Sequence, residues 1–337
     1  MRYTNRMSHG PNIVTIGGGT GSFTLLSALK NYTSNITAIV NMVDDGGSTG
    51  ALRDQYGVLP PGDVRQCLVA LSDDQRIARD LFNYRFGEGN FEGHAFGNVF
   101  LSALEKVTGS FAEAVESASE LLRITGTVLP VTLQDATLIA HLDDRDVVGE
   151  YEIAHMKTKQ DFRTIEFSLT DGVVINPQAK EAILKADLVV ICPGNLYGSL
   201  APTLIVPGVG EALHKTDAPT VYVSNLVTKP GQTDNFSVDD FAQEIERFAG
   251  GEEILDYVLY NTLQPSKELL DAYADQDEYG VSADENTFLE AHYEAKGYPL
   301  LNEEIFAPHE NDTLIARTLI RHDADAVCRQ LMRIYYQ

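Results

Sequence analysis

Three loops in a fixed order leave this chain few folds to choose from: GGGTG at Gly17–Gly21, DDGGSTG at Asp44–Gly50 and LPPGD at Leu59–Asp63. The first two each follow a short β-branched apolar run, IVTI and then ITAIVNMV, which is where an open parallel sheet places its ligand loops. Glycines let backbone amides approach phosphate groups, and carboxylates at the end of the next strand can hold a ribose, a metal ion or a second substrate. The order reads as a nucleotide-binding chain.

The rest of the chain keeps an α/β rhythm around these loops. A strand near Asn12–Ile16, a helix over Ser22–Lys30 and a strand over Asn35–Val43 make one βαβ unit. Between Asp44 and Pro61 the glycines, charges and Pro-Pro predict a long functional loop. Asp63 is placed to cap a helix ending near Leu71, Arg76–Phe86 reads as another, and Ser110-Phe-Ala-Glu113 has capping-box spacing before a helix to Leu122. From Gly126 to Ser168 the runs VLPVTL, ATLIAHL, VVGEYEI and TIEFSL predict short strands of an antiparallel insertion, set at about residues 126–170.

The alternation then resumes. A helix over Pro177–Ala186 and a strand over Asp187–Cys192 lead to the loop PGNLYGS, an apolar helix, a strand over Thr220–Asn225 and a second ligand loop, VTKPGQTDNFS. Phe241–Phe248 reads as a helix and Asp256–Asn261 as a strand; the acidic stretch Asp271–Glu294 reads as a surface excursion, and the end as a helix capped by Asp323. The expected fold class is α/β, three-layer αβα, with a Rossmann-like, mostly parallel sheet and a small antiparallel β insertion. Residues 1–11 are expected to be disordered and 12–337 to form a single domain.

Composition narrows the partners. A net charge of −24 repels nucleic-acid polymers, and no apolar run reaches the length of a membrane span. Cys67, Cys192 and Cys328 have neither zinc nor disulfide spacing, which fits the reducing cytoplasm. The eight histidines show no HExxH-type spacing, and no GxSxG elbow is present. GGGTG is neither GxGxxG nor a Walker loop, so taken alone it serves a phosphate site or a tight strand-to-helix reversal equally well. Adjacent Asp44 and Asp45 either meet a cationic or hydrogen-bonding group or make a solvated turn. Asp63 is either an N-cap or, with Asp44 and Asp45, part of an oxygen-ligand site for Mg²⁺. His94 and Asn98 either cap a helix or touch a base. Arg53 and Lys229 either neutralise a phosphate or pair with surface carboxylates.

Together the motifs IGGGTG, NMVDDGGSTG, LRDQYGVLPPGDVRQCLVALSD, YRF, GHAFGN and SNLVTKPGQTD, in this order, resemble the YvcK group of the CofD-like superfamily, from about Asn12 to the terminal RHD. Ala51, CPGN and TKPGQT depart from the expected Arg, GPGS and TQPGET. The resemblance implies a bacterial cytoplasmic factor needed for growth and cell shape on gluconeogenic carbon sources, and binding of UDP-sugars such as UDP-N-acetylglucosamine. The enzyme branch of the superfamily transfers a phospholactyl group from a guanylyl donor to a deazaflavin alcohol with Mg²⁺ held by acidic residues, and motif matching places that metal at Asp45 and Asp63. Self-association and a Ser/Thr kinase enter as candidate partners.

The leading reading is a UDP-sugar-binding regulator. In it Gly18, Gly19, Thr20 and Gly21 cradle the diphosphate, Asp44, Asp45 and Ser48 face the ligand, His94, Asn98, Gly194 and Asn195 contribute to the pocket, and Asn225 to Lys229 close the far side. No catalytic residue is assigned. A Mg²⁺-dependent transferase and a dinucleotide (NAD) binder, its second-strand acid on the ribose, are the rivals.

Overall fold

The computed structural model describes residues 10–73, 75–302 and 320–337, so most of the expected disordered start lies outside the described residues. The chain opens with β1 (Ile13–Gly17), β2 (Ile36–Val40) and β3 (Thr127–Pro130). Next come β4 (Leu138–His141), β5 (Asp146–Val148) and β6 (Glu166–Leu169), then β7 (Leu188–Ile191), β8 (Thr220–Val223), β9 (Tyr257–Asn261) and β10 (Glu294–Tyr298). Among the described residues, seven of these strands make one parallel sheet in the order β10-β9-β8-β7-β1-β2-β3, and β5-β4-β6 make a small antiparallel sheet.

β1 and β7 are buried from end to end, as strands covered on both faces must be. Ile13 lies opposite Ile36 on one side and Leu188 on the other. From β1 the chain builds outward to β3, then returns and builds the other way from β7 to β10. The order therefore reverses between β1 and β7, and a crevice opens beyond their carboxyl ends.

Helices α1 (Gly19–Leu29), α2 (Gly47–Tyr56) and α3 (Gly62–Leu71) carry the three glycine-rich loops. α1 packs against α3 and against the terminal helix Ala324–Tyr335 in one helical layer; the helices at 177–185, 201–204, 209–215 and 238–248 make the other. Asp323 accepts a 2.9 Å hydrogen bond from the Ala326 N–H, as its position predicts. Asp323→Ala is expected to cost about 1 kcal/mol, read as a lower urea midpoint; an unchanged midpoint would remove this cap from the account.

Several expectations are corrected. Asp44–Pro61 is not one long loop, because Gly47–Tyr56 is helical and closes on Gly57, whose left-handed backbone (φ +59°) lets its N–H reach Arg53 O at 2.8 Å. Few buried side chains mark that helix, so periodicity misses it. Thr127–Pro130 joins the main sheet beside β2, which leaves the antiparallel layer to residues 138–169. VVGEYEI is divided by Gly149 (φ +101°) into the end of β5 and the helix Glu150–His155.

Ser110 is an N-cap by position, but its side chain makes no capping hydrogen bond among the described residues. A capping box does form at Ser237 with Asp240. The acidic stretch contains the rest of the helix Lys267–Ala274 and leads into β10, an edge strand whose paired face escapes a reading based on charge.

Candidate functional site

A single extended residue, Gly18, connects β1 to α1 and, lacking a side chain, cannot itself cap the helix start. The first turn of α1 contains no acidic residue. Its leading amides therefore face the crevice with the positive end of the helix dipole, inside a chain that is otherwise strongly negative. One of those amides is spent, since Gly19 N–H donates to Asp63 Oδ1 at 3.0 Å.

The glycines here are set by close approach. A β-carbon at Gly21 would lie 1.8 Å from the carbonyl oxygen of Pro193, and one at Gly18 would lie 2.0 Å from Asp63 Oδ2. Asp63 thus stands under the loop as a support; it is the second residue of α3 and not its cap.

Across the switch point, the loop after β7 turns through a π-helical segment, Leu196–Leu200, in which Asn195 O accepts from both Ser199 N and Leu200 N. Tyr197 anchors this turn from within the core. Its hydroxyl donates to Glu244 Oε2 at 2.9 Å, and its ring packs on Phe162 and Phe167 of the antiparallel layer. Asn225 holds the same loop from the end of β8, donating from Nδ2 to Gly194 O at 2.8 Å and accepting from Gly194 N–H and the Tyr222 hydroxyl. Asn225 is therefore a positioning residue whose amide is already engaged.

Between these loops lies a cavity of about 310 Å³, at the lower end of the size range of small-molecule sites. Of the residues that the sequence assigns to a ligand, Gly18, Gly19, Thr20, Gly21, Gly194, Asn195 and Asn225 line it together; Thr24, Ser199, Arg321 and His322, which the sequence does not single out, line it too. His322 belongs to the RHD segment, whose only local signal was the cap at Asp323.

The acidic residues gather beside the cavity and not in its lining. Burial, with Asp44 as a repelling neighbour, pushes the Asp63 carboxyl up to about 7. Burial likewise raises Asp44, against the hydrogen bond from Gly46 N–H at 3.0 Å. Glu150, which sequence reading missed inside a strand-like run, is raised to about 7 by burial and then by Asp44, with Lys229 opposing. Lys229 is lowered by burial while Glu150 and Glu278 oppose the shift. Asp45 turns away toward the helix Glu150–His155, accepting from Tyr151 N–H at 2.7 Å. The carboxylate that acts on Asp63 is thus Asp44.

Ser48, His94 and Asn98 form a third group, outside the cavity lining. Ser48 Oγ lies 3.1 Å from His94 Nδ1 and accepts from Asn98 Nδ2 at 3.2 Å. Arg53 is not available to a phosphate: it is bound to Asp135 and Thr137 at 2.7 Å each.

Among the described residues no three His, Cys, Asp or Glu side chains are arranged to hold a metal ion. Two or three oxygen donors completed by phosphate and water still suit Mg²⁺. Closely placed carboxylates that burial, and to a lesser degree mutual repulsion, disfavours in their charged form have the chemistry for such a cation. Asp63 and Asp44 would hold it, with Glu150 next to them.

These features define a doubly wound α/β protein with a glycine-lined crevice at its switch point. A family model described as 2-phospho-L-lactate transferase CofD matches residues 13–305. The chain belongs to this CofD family. It is similar to the gluconeogenesis factor of Bacillus subtilis (strain 168), 36% identical over 330 residues that make up 97% of this chain and 98% of the relative. Putative gluconeogenesis factors of Clostridium acetobutylicum and Nostoc sp. are 44% and 43% identical over 82% and 83% of the chain. Those matches span 62% and 61% of the two relatives' lengths, less than two thirds of each. A crystal structure of a UPF0052 family member from Bacillus halodurans aligns with a TM-score of 0.86 at 34% identity, covering 96% of this chain and 99% of that one. Among the described residues no helix is long and apolar enough to cross a membrane.

Proposed function

We propose that this protein is a regulatory factor that binds a UDP-sugar in the switch-point cavity and links its level to growth and cell shape under gluconeogenic conditions. The observation that carries the reading is the start of α1, with no acidic residue in its own first turn and its Gly19 amide held by Asp63, opening into a cavity between the ends of β1 and β7. A diphosphate there would meet the Thr20 and Gly21 amides and the positive end of the helix dipole. The names of the relatives, gluconeogenesis factors from several bacteria, support the physiological part.

A second reading, transfer of a phosphorus-containing group, draws on the family model's description and on the carboxylates Asp44, Asp63 and Glu150. With Mg²⁺ bound there, the metal would supply neutralisation of phosphoryl charge. The chain's own residues would position the ligand: α1 amides on phosphate, Asp63 holding the glycine loop through Gly19.

Calorimetric titration with UDP-N-acetylglucosamine, UDP-glucose, GDP and NAD, each with and without Mg²⁺, separates these. Saturable, Mg²⁺-independent binding confined to the UDP-sugars is the expected result. Strictly Mg²⁺-dependent GDP binding would replace it with the transferase, and a preference for NAD would replace both.

A further inference from the structure

The wall of the cavity built by residues 320–324 contains chemistry that a phosphate cannot use. Residues 320–323 run beside 300–302: Asn302 N–H donates to Arg321 O at 2.8 Å, Asp323 N–H donates to Leu300 O at 2.7 Å, and Leu301 bridges His322. This pairing fixes His322 in the cavity wall. Ser224, at the end of β8, hydrogen-bonds the ring through its backbone, whereas Nε2 is buried and has no partner among the described residues. Burial lowers the ring's pKa to about 4, against the opposing effect of that backbone bond, so the imidazole is neutral at physiological pH. A neutral ring that donates one N–H to a carbonyl offers its other nitrogen as an acceptor.

Asn195, on the opposite loop, lines the same cavity, and its Oδ1 is likewise buried without a partner among the described residues. Each buried acceptor left unmatched costs about 1–3 kcal/mol, and buried polar groups are almost always paired in native proteins. Much of the remaining lining is apolar, from Leu25, Val223, Val227 and Val327. Phosphate oxygens are acceptors and would repel two further lone pairs. An uncharged group carrying N–H or O–H donors on a flat apolar body fits them.

We propose that His322 and Asn195 form a donor-reading subsite, in which the nucleoside end of the ligand gives an N–H or O–H to His322 Nε2 and to Asn195 Oδ1. The inference rests on the nucleotide-sugar reading and orients the ligand within it: diphosphate on the start of α1, nucleoside against the His322 wall. The donor is either the imide N–H of uracil or a ribose hydroxyl, and ligand analogues tell them apart.

The test uses the full chain, ¹⁵N-labelled at histidine, with UDP-N-acetylglucosamine as the probe; His322→Gln assigns the resonances. The free protein should show His322 protonated on Nδ1 and bare at Nε2, and the probe should move the Nε2 signal toward that of a hydrogen-bonded acceptor. In calorimetry, either the N3-methyluracil or the 2′-deoxyribose analogue should bind about 3- to 10-fold more weakly than the parent, the effect of one neutral hydrogen bond, and His322→Phe should abolish that discrimination. Parent binding with an unmoved Nε2 signal and equal affinity for both analogues would overturn this inference alone. No binding of the parent by the wild-type chain would overturn it together with the functional reading.

Discussion

Gly21→Ala is expected to lower the unfolding free energy by more than about 4 kcal/mol, a loss confined to a few mechanisms such as a clash that no rotamer can relieve. The new β-carbon would sit 1.8 Å from the Pro193 carbonyl oxygen, which is backbone on both sides. Relief requires α1 and the loop after β7 to separate, and that separation dismantles the switch point. Gly47→Ala is the control, because nothing lies within 4 Å of its β-carbon and only its left-handed backbone (φ +47°) resists alanine. It should cost about 1–2 kcal/mol. Urea denaturation of the two variants measures both losses; equal losses would show that close packing at Gly21 is not what fixes the loop.

Asp63→Asn is expected to stabilise the protein at pH 8, by about 1–3 kcal/mol. The Asp63 carboxyl is pushed up to about 7 by burial and by Asp44, well above the value of about 4 that it has in an unfolded chain. Between those values the folded protein holds more protons than the unfolded one, so stability falls as pH rises through the window and levels off above it. Asparagine removes the charge while its carbonyl oxygen can still accept from Gly19 N–H, the 3.0 Å bond that supports the loop. The gain should therefore be present at pH 8 and absent near pH 4, in denaturation curves run at both. Saturating Mg²⁺ should narrow the gap at pH 8 by stabilising the wild type. A variant less stable than wild type at pH 8, or a gain independent of pH, contradicts the account of Asp63 as a buried, charge-repelled support.

The parallel core was legible because fully buried strands leave continuous apolar runs: IVTI and LVVI locate β1 and β7 within a residue or two. The glycine loop was legible for a related reason, since Gly18 and Gly21 are places where a side chain cannot fit. Elements that draw their stability from tertiary contact were not. α2 reads as loop in the sequence because its buried residues include Thr49 and Gly50, which add no apolar periodicity. β10, EAKGY, is recognised only by its pairing with β9. In the site, sequence weighed Asp45 and Asp63 as a pair, but which of two adjacent aspartates turns inward depends on the partner offered by Tyr151, 106 residues away. Glu150 and His322 were missed for the same reason. Each acquires its chemistry from burial and from neighbours distant in the chain, Asp44 and Lys229 for one, Ser224 for the other.

The central claim is that the switch-point crevice between β1 and β7 is a nucleotide-sugar site, and a crystal structure of the full chain with UDP-N-acetylglucosamine tests it most directly. The diphosphate should lie on the Thr20 and Gly21 amides at the start of α1, with the nucleoside against His322 and Asn195. Electron density for the nucleotide at the Ser48–His94 group or elsewhere on the surface, with the crevice left empty at saturating ligand, would contradict the claim.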